Sequence, residues 1–112
     1  MSRLISRVNV NIAINTALSS FVGLGELTPH VLVMPAAWTD ACITFMESID
    51  NTNYFSVMKD DGSELMIAAY GGARIILPSG LSYAKQLIIR SGTSYNPVNQ
   101  AAARDLYVEL WE

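Results

Sequence analysis

Arg7-Val8-Asn9-Val10-Asn11-Ile12 alternates apolar and polar residues without a break, and Ile14 and Asn15 continue the parity. A period of two is the mark of a β-strand with one dry face. Helix is disfavoured here, because β-branched residues and Asn both have weak helix propensity. The chain closes on a matching stretch, Arg104 to Trp111, in which Leu106, Val108 and Leu110 alternate with Asp105, Tyr107, Glu109 and Trp111. Tyr107 and Trp111 put large groups on the second face as well. That face meets either a covering loop or another subunit.

Working inward, further strands are expected at His30 to Met34, Cys42 to Ser48, Tyr54 to Met58, Leu65 to Ala69, Ala73 to Leu77 and Leu87 to Arg90. Pro35, Pro78, Gly80 and the Asp50-Asn51-Thr52-Asn53 cluster punctuate them. Asp61-Gly62 is the strongest local signal, since both residues tolerate the positive φ of a tight hairpin. Residues 82–86 suit a short helical turn or a bend. Pro97 to Arg104 is rich in helix formers and predicts one or two helical turns, with Asn96 as cap and Pro97 at the first position. About eight short strands at turn spacings of about ten residues predict an all-β fold, an antiparallel β-sandwich of jelly-roll type. Residues 1–112 are expected to form one domain, with 1–16 as an extended N-terminal arm or an edge strand.

Composition narrows the function. Seven Lys and Arg against ten Asp and Glu give a net charge of −3, which argues against a basic patch for nucleic acid. Uninterrupted apolar runs such as Val31-Leu32-Val33-Met34 are far shorter than the about 20 residues of a membrane helix, so no membrane partner is expected. Charged residues are 15% of the chain while hydrophobic residues are 51%. With the usual charged share at about 25%, so small a domain has difficulty covering its own surface. Such a chain is expected to be soluble, or to become so by assembling.

Catalytic patterns are sparse. His30 and Cys42 are the only residues of their types and lie beside buried-looking strands, without a surrounding nucleophile motif. Packing is the better reading of both. Asp60, Asp61 and Glu64 in one turn, and Asp50 with Asn51 and Asn53 in another, offer oxygen ligands but match no calcium-loop spacing, and turn chemistry accounts for them. No phosphate loop, dinucleotide fingerprint or zinc spacing occurs. Neither an enzyme nor a cofactor is expected. Trp38, Tyr54, Tyr70, Tyr83, Tyr95, Tyr107 and Trp111 could instead supply interface anchors or a sugar-stacking platform.

The stretch Met34-Pro35-Ala36-Ala37-Trp38 through Ile43-Thr44-Phe45, then Ser48 to Phe55, the turn Asp61-Gly62-Ser63-Glu64, and Arg90-Ser91-Gly92-Thr93-Ser94 with Pro97 to Arg104 together resemble a family of small tailed-phage virion proteins. The resemblance covers residues 31–110. It implies a short β-sandwich attached to the particle as a capsid cement or decoration protein, located on the virion and partnered by the major capsid protein or another virion protein. A small homo-oligomer is expected with it. The residues expected to make contacts are Leu4, Ile5, Val8 and Val10 of the arm, Trp38, then Ser91, Thr93, Tyr95 and Asn96, and Tyr107 with Trp111 of the last strand. The alternative is a carbohydrate-binding sandwich on a head or tail appendage, with aromatics stacked on sugar rings.

Overall fold

In the computed structural model, which describes residues 3–112 and only the backbone at Ser82 and Tyr83, the chain is all-β. Its strands in order are β1 (Leu4–Ile12), β2 (Val22–Gly23), β3 (Thr28–Val33), β4 (Ile43–Ser48), β5 (Phe55–Ser56), β6 (Arg74–Ile76), β7 (Gln86–Ser91) and β8 (Arg104–Trp111), with a 3₁₀ turn at Ser79–Tyr83. Two four-stranded antiparallel sheets pack face to face, one ordered β1-β8-β3-β6 and the other β2-β7-β4-β5. The expected β-sandwich is therefore what this sequence forms. Each strand of the first half pairs with its mirror in the second: β1 with β8, β2 with β7, β3 with β6 and β4 with β5.

The alternation read in the sequence builds the core directly. Val10 and Ile12 of β1 and Leu106, Val108 and Leu110 of β8 all point inward, against Leu32, Ile43, Phe45, Leu87 and Ile89. Odd-numbered residues of β1 face outward beside Asp105, Tyr107 and Glu109. The N-terminal segment is thus an edge strand and not an arm, because Ser6 to Ile12 pair with β8 residue for residue. Burying one apolar stripe and bonding one backbone edge holds it down. Met1 and Ser2 lie outside the described residues.

Three local expectations are corrected. Leu65 to Ala69 forms no strand. It crosses the end of the β4 sheet, held by single contacts such as Leu65 N to Val57 O and the Ile43–Ile67 bridge. The Asp61-Gly62 turn does form, with Gly62 at φ +86° and Lys59 N donating to Ser63 O, but the Met58–Glu64 bridge and the Leu65 N to Val57 O bond extend it without building a strand pair. Pro97 to Arg104 makes no helix, because its backbone bonds to distant partners: Val98 N to Ser91 O, Gln100 N to Thr16 O and Asn15 N to Gln100 O. Tertiary pairing overrides a weak local propensity there. In addition, Val22 and Gly23 form a strand that carries no alternation in sequence.

Candidate functional site

Antiparallel order sends the connections 13–21, 34–42, 57–73 and 92–103, the two longest of the chain among them, to one end of the sandwich, and 24–27, 49–54 and 77–85 to the other. Long connections on a rigid sheet are where binding residues concentrate. The four loops at this pole are stitched together by two buried centres, three side chains in all, that the sequence did not single out as contacts.

Gln100 is the first. Fully buried, it accepts from Thr39 N at 2.9 Å and from Arg104 Nε at 3.1 Å through Oε1, and its Nε2 donates to Thr39 O and, at 2.8 Å, to Ser91 Oγ. With its backbone bonded to Asn15 and Thr16, it ties three of the four loops. Every polar atom of its amide is thereby used, as burial of an amide demands.

The second centre is the ion pair of Arg90 on β7 with Glu64, at 2.5 Å between Nη2 and Oε2. Both side chains are more than nine-tenths buried. Arg90 also donates to Thr44 Oγ1 at 2.9 Å and to Ser56 Oγ at 3.1 Å, and Thr44 in turn donates to Gly92 O. Glu64 accepts from Ser94 N at 3.0 Å, which joins the 57–73 loop to the 92–103 loop. Two buried charges paired with this many additional bonds form a fixed anchor.

Above the anchor lies an open recess of about 360 Å³, lined by Met58, Met66, Thr93 and Tyr95 with Ser63, Glu64 and Lys59. Tyr95 is 97% exposed at its mouth, and Met58 and Met66 are exposed beside it. Ile14 and Leu18 on the first loop and Tyr70 on the third are exposed at the same pole. A second open recess lies between Asp40, Cys42 and Tyr70.

The residues expected to make contacts fall into three separate places. Thr93, Tyr95 and Asn96 lie at the pole, with Ser91 fully buried beneath them and held by Gln100. Trp38 also belongs to a pole loop, but its ring packs half-buried against the core while Nε1 donates to Ala41 O. It is no open platform. Leu4, Ile5 and Trp111 sit at the opposite end, where Trp111 packs against His30 at 5.1 Å between ring centroids. Tyr107 is exposed midway along the outer face of its sheet. Val10 is fully buried and Val8 packs on the core, so neither is a free contact: their inward parity commits both to the sandwich. The side chain of Tyr83 lies outside the described residues.

Ionisable groups outside the pole serve the fold. Glu109, 1% exposed on the outer face of β8, is clamped by Arg74 at 2.8 Å and Arg7 at 2.9 Å, and the hydrogen bond from Arg74 leads in holding its carboxyl below the usual value. Asp50 caps its turn by accepting from Asn53 N and Thr52 N, which lowers its pKa strongly. Burial pushes the Glu47 carboxyl up. Among the described residues, no group of three His, Cys, Asp or Glu side chains is placed to hold a metal ion, and no helix is long and apolar enough to cross a membrane.

Fold and site together define a two-sheet β-sandwich with a stiffened pole of long loops bearing exposed apolar side chains. Comparison with protein-family models, with curated proteins and with solved structures finds no match to this chain.

Proposed function

We propose that the chain is a structural protein of a virus particle, a capsid cement or decoration protein of the tailed-phage kind, that docks across neighbouring shell subunits through its long-loop pole. One observation carries the reading: Tyr95, Met58 and Met66 stand exposed around one recess on loops fastened from beneath by the Arg90–Glu64 pair. Exposed Tyr on a preorganised frame is an interface anchor that loses little entropy on binding, and the flexible Met side chains beside it adapt to the shape of a partner. Two further features support it. The strand orders β1-β8-β3-β6 and β2-β7-β4-β5 favour a jelly-roll reading of the sandwich, an architecture used by viral capsid and lectin domains, and the sequence between residues 31 and 110 resembles small phage virion proteins.

The test is co-sedimentation with shells assembled from the major capsid protein of the chain's own source. Saturable binding, lost in Met58→Lys/Tyr95→Ala with the unfolding midpoint unchanged, is the expected result. Absence of binding by the intact protein overturns the reading. Tyr95 also favours a second one, since a bare ring beside Thr93, Ser63 and Glu64 suits a sugar ring. A glycan array separates the two: saturable binding abolished by Tyr95→Ala supports the appendage lectin, and silence supports the docking role.

A further inference from the structure

Three of the four sheet edges are two or three residues long, namely β2, β5 and β6. The fourth, β1, has nine residues. Its even-numbered residues bond to β8, as the opposite side shows: Asn11 turns its backbone away from β8, accepting from Ser20 N at 3.0 Å and donating to Ser20 Oγ at 3.2 Å. Alternation gives Arg7 and Asn9 the same outward direction. Among the described residues, the N–H and C=O groups of Arg7 and Asn9 have no hydrogen-bond partner, so four ladder groups stand open on this edge.

We propose that β1 pairs antiparallel with β1 of a second copy about a two-fold axis through Val8, joining two sheets into one of eight strands. The open run selects this register. Arg7 faces Asn9 of the other copy, so each pair exchanges two hydrogen bonds and all four open groups on each chain are used. The next step would set Asn11 against Ile5, and the ladder ends there by construction. Asn11 is occupied by Ser20, and Ile5 is the extra residue of a bulge between Leu4 and Ser6. A two-fold through Arg7 would oppose two guanidinium groups, whereas the Val8 axis opposes Arg7 to a neutral amide and half-buried Val8 to itself. Antiparallel pairing sends the two long-loop poles in opposite directions, so the dimer is a two-ended connector.

Disulfide trapping in the full chain tests the register. Facing residues of a non-hydrogen-bonded pair lie about 4.5 Å apart at Cα, within disulfide reach. In a Cys42→Ala background, Val8→Cys is expected to cross-link into a covalent dimer under mild oxidation. Asn11→Cys, which is more exposed and would win any random collision, is expected to remain reduced. Asn9→Pro removes a donor that β1 does not use within its own sheet, and is expected to shift sedimentation from dimer to monomer across the micromolar range while leaving the circular dichroism unchanged. A native chain that sediments as a monomer, or cross-linking at residue 11 equal to that at residue 8, overturns the proposal.

Discussion

Arg90 and Glu64 illustrate how little a surface ion pair resembles a buried one. Lys59 and Asp61 stand 3.9 Å apart with both side chains at least half exposed, whereas the side chains of Arg90 and Glu64 are both more than nine-tenths buried. Solvent screens the first pair and removing it costs little. Glu64→Ala strands a buried guanidinium and frees Ser94 N, so it is expected to destabilise the chain by about 3–5 kcal/mol in urea unfolding, against under about 1 kcal/mol for Lys59→Ala. Two carboxylates set opposite pH dependences. Glu109 is held low chiefly by Arg74, so its contribution is present above its unfolded value near 4.5 and is lost as pH falls through the lower folded value. Glu47 is held high by burial, and its Oε2 is buried without a partner. Ionised Glu47 therefore opposes folding, and the opposition fades as pH falls from the folded value toward the unfolded one. Glu47→Gln is expected to raise the thermal midpoint at neutral pH and to leave it unchanged below about pH 4, where the Glu47 carboxyl is neutral in the folded and the unfolded chain alike.

At the scale of elements, legibility followed the number of dry faces. β1 and β8 were plain in the sequence because one face of each is core, so parity and burial coincide at Val10, Ile12, Leu106 and Val108. β2 was not, since two residues carry no period, and Pro97 to Arg104 misled because its composition is local while its hydrogen bonds are not. The candidate site was half legible for the same reason. Tyr95 and Thr93 advertise themselves in a polar loop, but nothing near Gln100 or Glu64 in sequence tells that each fastens loops from elsewhere in the chain. Gly92 shows how tightly the β7–β8 connection is closed. Its φ of +87° and the approach of Asn96 O to 2.5 Å from where a Cβ would stand leave no space for a side chain. Gly92→Ala is expected to cost about 2 kcal/mol or more, read as a lower urea midpoint with an unchanged slope.

For the whole molecule, the surplus of apolar residues is divided between a packed core and the exterior. Scattered exposed hydrophobics are ordinary on any protein, because more than half of a folded surface is apolar. Phe55 and Ile49, exposed toward the short-loop end, need no explanation on that ground. Met58, Met66 and Tyr95 differ because they share one recess over a buried anchor. A patch that exists to be covered should lose its partner when charged, whereas generic stickiness should respond to charge anywhere. Two variants separate these. Met58→Lys with Met66→Glu charges the pole without altering net charge, and Ile49→Lys with Phe55→Glu does the same at residues away from the recess. All four side chains are exposed, so each variant is expected to keep its unfolding free energy within about 1 kcal/mol of the parent. Both should raise the concentration at which the free protein aggregates, measured by light scattering. Only the pole variant is expected to lose binding to capsid shells in co-sedimentation, and equal loss in the two would assign the attraction to overall greasiness and remove the pole from the mechanism.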